Sequence, residues 1–396
     1  MPGSIEKPRN ARWDRCDLYK WLEQLPQCLD AQDWMNEFHL FRNAFEKRLD
    51  FLGLAVHLRG IIEFSNYCRQ DCLYCGLRRS NANIDRYRMP PDEIIETAAQ
   101  AMDIHNFGTF VLQSGEDPGY SAQEIGRVVS ALKDMGAAVT LSVGQWSHDD
   151  YRLWKDAGAD RFLLKFETSD PVLFRELKPT TTLDERLECL HYLRELGYQI
   201  GTGIILGLPG QTWQSVVNDI KLIERIDPEM VSIGPYVSHP DTPLGQGCLG
   251  EPHVAPFYLI RATLNLLAAS RILVPYAHIP ATTALGVIGK DDRRWVEFAS
   301  EMLGTELGSA QVAGLDSWND PRGLALLCGA NVIMPDITPK RYRNSYEIYP
   351  GKASSDGEEL DSILHEVKTL INSLGMYVSP ERGDSPKARF QLRQIE

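Results

Sequence analysis

Three cysteines within one short segment carry the clearest chemical signal in this sequence. Cys68, Cys72 and Cys75 are spaced C-x3-C-x2-C and follow an apolar, strand-like stretch. Three thiolates in one loop can bind three irons of a four-iron, four-sulfur cluster, which leaves the fourth iron without a nearby protein ligand. Because an iron with an open position can bind and reduce a small molecule, the spacing indicates radical chemistry rather than electron storage.

Zinc binding and disulfide formation are the alternatives for these cysteines. A structural zinc site usually takes four Cys or His ligands at paired spacings, and neither a second C-x-x-C nor an H-x-H follows here. His57 precedes the strand and is a poor fourth ligand. A disulfide would leave one of the three cysteines over. The other cysteines are scattered, which is typical of a reducing compartment: Cys16, Cys28, Cys189, Cys248 and Cys328.

The second predicted strand ends in Q-S-G-E-D, residues 113–117. Ser114 and Gly115 would let the backbone come close to a ligand, and Glu116 adds a carboxylate. A zwitterionic amino acid bound to an iron needs acceptors for its ammonium group, which carbonyls and a carboxylate provide. The same letters are also typical of an ordinary turn, and their position one strand after the cysteines favours a binding role.

The fourth predicted strand ends in K-F-E-T, in which Lys165 and Glu167 point to the same side. Charged side chains at the C-terminal ends of barrel strands are more typical of a functional site than of a structural one. Glu167 can accept hydrogen bonds from ribose hydroxyls, and Arg186 can pair with a carboxylate. A solvated arginine on a helix surface explains Arg186 equally well.

Short β-branched or aromatic runs alternate with longer helical patterns from Arg59 onward. This alternation predicts an α/β fold with a parallel sheet, and eight such units predict a closed or nearly closed (β/α)8 TIM-type barrel with its functional groups at the C-terminal ends of the strands. The predicted strands are Arg59–Phe64, Thr109–Gln113, Ala138–Val143, Arg161–Phe166, Gln199–Leu206, Met230–Pro235, Tyr276–Pro280 and Asn331–Met334.

The barrel is expected to span residues 59–352. Residues 1–58 form an N-terminal helical extension that is expected to pack across the barrel bottom, and residues 353–396 form a C-terminal helical tail. The hydrophobic content of 43% is ordinary for a globular chain of 396 residues. The formal net charge is −13 and basic runs are absent from the sequence, which excludes nucleic acid as an expected partner. The sequence has no apolar run of about 20 residues and no signal-peptide pattern, so we expect a cytoplasmic protein without a membrane span.

Three later segments add candidate residues. The glycines of Gly201–Thr212 could let an adenine ring lie against the backbone, although they do not form a dinucleotide fingerprint. Thr282 and Thr283 could bind an anion or simply form a turn. Tyr346 and Tyr349 could close a cavity, whereas core packing is the commoner role for an aromatic pair.

The chain resembles the radical S-adenosylmethionine (SAM) maturase family HydE of [FeFe]-hydrogenase. The match runs from about Arg59 to Lys352, and several segments also resemble biotin synthase and methylornithine synthase. The resemblance lies in F-S-N-Y-C-x3-C-L-Y-C-G-L-R-R-S-N, R-Y-R-M, L-Q-S-G-E-D, G-L-P-G-Q-T, H-P-D-T-P-L, P-A-T-T-A, C-G-A-N-V-I-M-P and Y-P-G-K.

The resemblance implies an enzyme that holds one [4Fe-4S] cluster and cleaves SAM to methionine and a 5′-deoxyadenosyl radical. Its substrate would be a cysteine-bound iron carbonyl–cyanide precursor, and its partners an electron donor such as a ferredoxin or flavodoxin and other hydrogenase maturases. The implied cluster ligands are Cys68, Cys72 and Cys75. The implied SAM-binding residues are Tyr74, Gln113, Ser114, Glu167 and Arg186, with Gly115 and Glu116 beside them. The implied substrate-cavity residues are Lys165, Met230, Thr282, Thr283, Met334, Tyr346 and Tyr349.

Three departures from the family pattern affect these expectations. Lys165 stands where family members often carry arginine, which keeps the charge but loses the planar fork. The segment after Y-P-G-K has no cysteine, so no second cluster is expected. An insertion at about 289–321 carries Trp295 and Trp318 and precedes the eighth strand; it could be a lid, a docking surface or decoration.

Two other functions stay open on the sequence. One is an enzyme like biotin synthase or methylornithine synthase; the first needs a second cluster deep in the barrel, and the second lacks the P-A-T-T-A and Y-P-G-K segments. The other is a non-catalytic iron–sulfur scaffold or carrier, which would bind iron without cleaving SAM. Glu167 and Arg186 are the residues that argue against it.

Overall fold

The computed structural model describes residues 12–29, 34–250, 255–289, 294, 297–298, 301, 320–352 and 360–387. Its main sheet has six parallel strands that pair in chain order. A smaller sheet is formed by two short strands on either side of β1 (Ala55–Leu58). The strands of the main sheet are β2 (Gly60–Ser65), β3 (Thr109–Ser114), β4 (Ala138–Ser142), β5 (Arg161–Leu163), β6 (Gln199–Leu206) and β7 (Met230–Pro235).

Isolated backbone bridges continue the main sheet from β7 round to β2. Met230 bridges to His278, Pro280 bridges to Val332, and Asp336 bridges to Ile61, all in parallel orientation. The predicted seventh strand, Tyr276–Pro280, is therefore represented by single bridges and not by a strand. The predicted eighth strand is present as the short β8 (Val332–Ile333), which pairs with β1. The ring has the order of a (β/α)8 barrel, with a regular ladder over six of its strands.

Helices follow the strands and cover the outside of this ring. Three of them begin at capping boxes, in which Ser121, Ser147 and Thr182 bond reciprocally with an acidic residue three positions later. The helices between the strands are α3 (Pro91–His105), α4 (Ala122–Asp134), α5 (His148–Asp156), α6 (Pro171–Leu177), α7 (Leu183–Glu195), α8 (Trp213–Ile226), α9 (Pro256–Leu273), α10 (Thr283–Gly289) and α11 (Arg322–Leu327).

The hydrophobic core lies between the ring of strands and the helices. Ile62 and Phe64 of β2 and Phe110 and Leu112 of β3 are buried among helix residues. Burial of each such side chain contributes about 1.5–3 kcal/mol. Because side chains alternate along a strand, Glu63 and Gln113 point the opposite way, into the ring. This alternation places polar groups inside the barrel.

The N-terminal helices α1 (Arg15–Leu29) and α2 (Met35–Leu52) pack on the outside of the barrel, against α8 and α9. Glu37 of α2 forms a buried ion pair with Arg261 of α9, and Asn265 donates to the same carboxylate at 2.9 Å. The helices thus flank the barrel, and the C-terminal end of α2 reaches its bottom, where the ring centroids of Phe51 and Tyr276 lie 4.8 Å apart. The described part of the extension also contains a strand, β1, and is not purely helical.

The C-terminal segment closes the bottom of the barrel. Helix α12 (Lys340–Arg343) precedes Y-P-G-K, and α13 (Leu360–Ser373) leads to β9 (Tyr377–Val378), which pairs with β1. Residues 379–387, here called the strap, then run below the strands.

Most of the predicted insertion at 289–321 lies outside the described residues; Phe298 from it packs against Trp34 with ring centroids 5.0 Å apart. None of the helices in the described ranges is long and apolar enough to cross a membrane.

Candidate active site

A cavity of about 330 Å³ opens at the C-terminal ends of the strands. The strands and the loops that follow them supply polar groups to its wall, which is the arrangement expected of a barrel enzyme. Among the residues that line it are Cys68, Cys72, Tyr74, Cys75, Gln113, Ser114, Gly115, Glu116, Ser142, Lys165, Glu167, Lys178, Arg186, Ser232, Thr282, Thr283, Met334, Tyr346, Tyr349 and Lys352.

The cysteine loop forms one side of this cavity. All three cysteines line it as free thiols, and the backbone N–H of Glu116 donates to Cys68 Sγ at 3.4 Å. Gly115 lies directly against the loop, because a Cβ there would come within 2.2 Å of the Tyr67 carbonyl oxygen. The sequence predicts that a ligand comes close to the backbone at Gly115. In the structure, the cysteine loop occupies that place.

The thiols fit the ligand set of an iron–sulfur cluster. Burial raises the pKa of Cys68 to about 11 and raises that of Cys75 further, and each neighbouring thiolate adds to the rise. Thiolates in this pocket therefore need positive charge beside them, which iron supplies. In the part of the chain that the structure describes, no group of three or more His, Cys, Asp or Glu residues is placed to hold a single metal ion, and the three thiols line one cavity.

Glu167 adopts an uncommon backbone conformation at the end of the fourth predicted strand. Its φ is +67°, in the left-handed region, and bonds to both neighbours on β6 hold it there: its N–H donates to Gly203 O at 3.0 Å, and Ile205 N–H donates to its carbonyl at 3.1 Å. A non-glycine residue in this region is strained and must be supported by its surroundings. The turn directs the carboxylate into the cavity, 3.0 Å from Lys165 Nζ.

Arg186 lies in the first turn of α7 and is only 4% exposed. The capping box of Thr182 and Glu185 begins this helix, and the arginine points into the cavity behind the cap. Its Nε is buried without a hydrogen-bond partner among the described residues. A buried guanidinium donor without a partner fits a carboxylate ligand, such as that of the methionine part of SAM. The surface-arginine alternative does not fit this burial.

Several predicted ligand-binding side chains are already hydrogen-bonded to the protein. The Glu116 carboxylate accepts bonds from Arg69 Nε at 3.1 Å, Gln70 Nε2 at 2.5 Å and Gln145 N at 2.9 Å. Gln113 Nε2 donates to Glu63 Oε1 at 3.1 Å. The amide oxygen of Gln113 is therefore the atom of this side chain that can accept a hydrogen bond from a ligand. The Glu116 carboxylate thus supports the cysteine loop.

Sequence reasoning missed a charged pair on the opposite wall. Glu63 is fully buried, and its carboxylate accepts a hydrogen bond from Lys352 Nζ, which also lies 5.1 Å from the ring centroid of Tyr346. Burial raises the pKa of Glu63 to about 8, while Lys352 opposes the rise. The inward position of Glu63 on β2 and the Y-P-G-K segment were the available signals. Glu63 and Lys352 are 289 residues apart in the sequence, so no local pattern indicates that they pair.

Met230 does not belong to this cavity. It begins β7, and its Sδ lies 3.0 Å from Arg59 Nη1 near the strap. Met230 is the first residue of β7, whereas the β7 residues that line the cavity are Ser232, Gly234 and Pro235. Gly203 of the glycine-rich segment also serves packing: a Cβ there would lie 1.8 Å from the Ser232 carbonyl oxygen of β7.

Lys178 is a second residue that the sequence did not single out. It follows α6 immediately, is buried, and its Nζ lies 3.3 Å from both Cys72 Sγ and Tyr74 Oη. The lysine reaches the cysteine loop across 106 residues of sequence.

Comparisons with known proteins agree with this geometry. Residues 62–223 match the Radical SAM superfamily. The chain is 45% identical over 332 residues to the [FeFe] hydrogenase maturase subunit HydE of Thermotoga maritima, covering 83% of this chain and 84% of the relative. It is 28% identical over 254 residues to the 3-methylornithine synthase of Methanosarcina acetivorans, covering 62% and 68%. A methylornithine synthase crystal structure superposes with a TM-score of 0.70 at 22% identity, covering 95% of this chain and 99% of that one, which shows a shared fold. The chain belongs to the radical SAM enzymes and, within them, to the HydE family of [FeFe] hydrogenase maturases, which is related to methylornithine synthase.

Proposed function

We propose that this chain cleaves SAM reductively and uses the resulting radical on a cysteine-bound iron carbonyl–cyanide precursor during [FeFe]-hydrogenase maturation. The observation that carries the proposal is the meeting of Cys68, Cys72 and Cys75 with Glu167 and Arg186 in one cavity. When bound to these thiols, the cluster supplies one electron, received from an external donor, that breaks a carbon–sulfur bond of SAM and yields methionine and a 5′-deoxyadenosyl radical.

The protein's own part in this reaction is to bind and orient SAM. The buried guanidinium of Arg186 pairs with the methionine carboxylate, and the Glu167 carboxylate accepts hydrogen bonds from the ribose hydroxyls. Lys165, 3.0 Å from Glu167, limits the repulsion between that carboxylate and other negative groups. Tyr74 and the backbone around Ser114 and Gly115 complete the binding site next to the thiols.

The substrate would occupy the wall of the cavity away from the cysteines. Thr282 and Thr283 offer hydroxyl groups there, and Thr282 Oγ1 is buried without a hydrogen-bond partner among the described residues. Tyr346, Tyr349 and Met334 provide an apolar boundary that excludes water. A small, compact precursor with hydrogen-bond acceptors suits these groups.

We also propose one cluster per chain, an electron donor of the ferredoxin or flavodoxin type, other hydrogenase maturases as partners and a cytoplasmic location. The single cluster rests on the absence of cysteine from the sequence after Y-P-G-K. The location rests on the eight cysteines of the sequence, all of which are free thiols. Mössbauer spectroscopy of the reconstituted protein should find about four irons per chain in one cluster type.

Substitution of a cluster cysteine tests the core of the proposal. Cys72→Ala should abolish the release of 5′-deoxyadenosine under dithionite after anaerobic reconstitution, because one iron loses its ligand. Cys248→Ala, at an exposed cysteine, is the matched control and should keep the activity. Persistence of 5′-deoxyadenosine in Cys72→Ala would overturn the assignment.

Substrate dependence separates this proposal from the related activities. Addition of the cysteine-bound iron precursor should increase SAM cleavage and alter the precursor. An increase that depends on lysine would support a methylornithine synthase-like activity instead, and one that depends on dethiobiotin would support a biotin synthase-like activity. Iron binding without SAM cleavage under any of these conditions would indicate a scaffold or carrier.

A further inference from the structure

Lys178 occupies an unusual position for a lysine. Its side chain is buried, with 7% of the residue exposed, and it lines the cavity next to the cysteine loop. Its Nζ lies 3.3 Å from Cys72 Sγ and 3.3 Å from Tyr74 Oη, and 5.7 Å from the centroid of the Tyr74 ring. The backbone N–H of Lys178 donates to Phe174 O at 2.9 Å, which anchors the residue at the end of α6.

The other lysines of the cavity are paired differently. Lys165 lies 3.0 Å from the Glu167 carboxylate, and Lys352 contacts the Glu63 carboxylate. Among the residues that the structure describes, no carboxylate lies within 4.0 Å of Lys178 Nζ. Burial of an ammonium group is costly unless an anion accompanies it. The partner that the fold provides for this charge is the sulfur of Cys72.

We propose that Lys178 donates a charge-assisted hydrogen bond to the Cys72 thiolate and raises the reduction potential of the cluster that the three cysteines hold. The inference rests on the proposed function only in that these cysteines bind a cluster. It makes Lys178 a positioning residue, since it acts through Cys72.

Physical chemistry gives the direction of the effect. Reduction adds one negative charge to the cluster, and hydrogen bonds to ligand sulfurs stabilise that added charge. A buried ammonium acts more strongly than a solvated one, because the surrounding protein screens it less than water does. The acidic chain, with a net charge of −13, otherwise opposes reduction. Lys178 therefore makes one-electron reduction by an external donor easier.

The test is the midpoint potential of the reconstituted cluster, followed by electron paramagnetic resonance in a dithionite titration with mediators. Lys178→Met keeps the length and removes the charge and the donor. It should lower the ratio of reduced to oxidised cluster at least tenfold at a fixed potential, which is a shift of 59 mV for a one-electron couple. Lys178→Arg keeps charge and donors and should stay near the wild type.

Lys155→Met is the matched control. Lys155 Nζ donates to Gly197 O at 2.9 Å and lies 4.9 Å from the Tyr198 ring centroid, so it is also a lysine over a tyrosine, but away from the cysteines. Its loss should leave the potential unchanged. An equal shift in Lys155→Met and Lys178→Met would indicate a general effect of lost charge and would overturn the inference.

A second readout addresses contact directly. In protein labelled with ¹⁵N-lysine, pulsed electron paramagnetic resonance should detect a coupling between the reduced cluster and one lysine nitrogen, and this coupling should vanish in Lys178→Met. An unchanged potential or an undiminished coupling in a Lys178→Met protein that still binds its cluster would overturn the inference and leave the proposed function intact. Failure of the wild type to bind a cluster would overturn the proposed function itself.

Discussion

The two ends of the barrel differ in whether a ligand can reach their charged side chains. At the C-terminal end of the strands, Lys165 and Arg186 line an open cavity, and Arg186 Nε has no hydrogen-bond partner in the part of the chain that the structure describes. At the other end, Arg59 and Arg161 are buried, and the strap covers them. Arg161 donates to Arg382 O at 2.9 Å and to the Asp384 carboxylate at 2.5 Å. Arg59 Nε and two nitrogens of Arg161 also have no hydrogen-bond partner among the described residues, so the two ends differ in access and not in pairing. The upper groups face an open cavity, whereas the strap covers the lower ones.

The strap is shaped to fit the lower end. Arg59 donates to Gly383 O at 3.2 Å, and Gly383 has a φ of +65°, a conformation that favours glycine. A Cβ at this position would come within 2.8 Å of His57 Nδ1, so a side chain would collide with the imidazole. His278 lies on the other side of His57, with ring centroids 5.0 Å apart. The comparison predicts that changes at the lower end affect folding and changes at the upper end affect binding.

Removal of the strap should have the largest effect on stability. Truncation after Val378 removes the strap acceptors of Arg59 and Arg161, so these buried guanidinium groups lose partners and the free energy of unfolding should fall by about 3–5 kcal/mol. Chemical denaturation of the metal-free protein measures it. Truncation after Lys387 keeps the strap and is the control. Equal stability of the two truncated proteins would contradict the assigned role of the strap.

Acidification should weaken the lower end through His57. Burial, followed by repulsion from Arg59, lowers the pKa of His57 to about 4, whereas an unfolded imidazole titrates near 6.5. The unfolded chain therefore binds more protons between these values, and stability is lost as the pH falls from about 6.5 to about 4, by about 3 kcal/mol for this group.

Denaturation curves across this pH range measure the effect. His57→Gln should flatten the loss between pH 6.5 and 4, while His191→Gln, at a histidine with 74% side-chain exposure, should not. If both substitutions leave the pH profile as in the wild type, His57 is not held neutral by its surroundings.

Loss of the Arg186 guanidinium should weaken SAM binding at the upper end. Arg186→Met removes a charged hydrogen bond worth about 1.5–3 kcal/mol, so the dissociation constant for SAM should rise about 10- to 150-fold. Equilibrium binding to the reconstituted protein measures it. Arg194→Met, in the last turn of the same helix, is the control. An unchanged affinity in Arg186→Met would remove Arg186 from the SAM site.

The smallest expected effect separates two methionines. Met230 lies beside Arg59 at the lower end. Met230→Leu should lower the free energy of unfolding by less than about 1.5 kcal/mol and leave the turnover of the precursor unchanged. Met334→Leu alters the cavity wall and should change that turnover more than stability. The turnover rates of both variants, reconstituted in the same way, test this contrast. A larger loss of turnover in Met230→Leu than in Met334→Leu would contradict it.

The sequence predicted most strands correctly, and its errors have local causes. The predicted strand Arg161–Phe166 ends at Leu163, because the chain turns through the left-handed conformation of Glu167 to place its carboxylate in the cavity. The predicted strand Tyr276–Pro280 is reduced to bridges at His278 and Pro280. β9 spans two residues, which is too short for an alternating pattern to indicate it.

The sequence alone determined what depends on near neighbours along the chain. The spacing of Cys68, Cys72 and Cys75 indicates a cluster site within eight residues of sequence. The alternation of strand and helix follows from local periodicity. Tertiary structure decided which distant residues meet. The contact of Lys178 with Cys72 and the pairing of Glu63 with Lys352 join groups 106 and 289 residues apart. Such contacts form only when the arrangement of the strands brings distant residues together and buried charges must pair with whatever groups lie nearby. Local sequence does not indicate which groups those are.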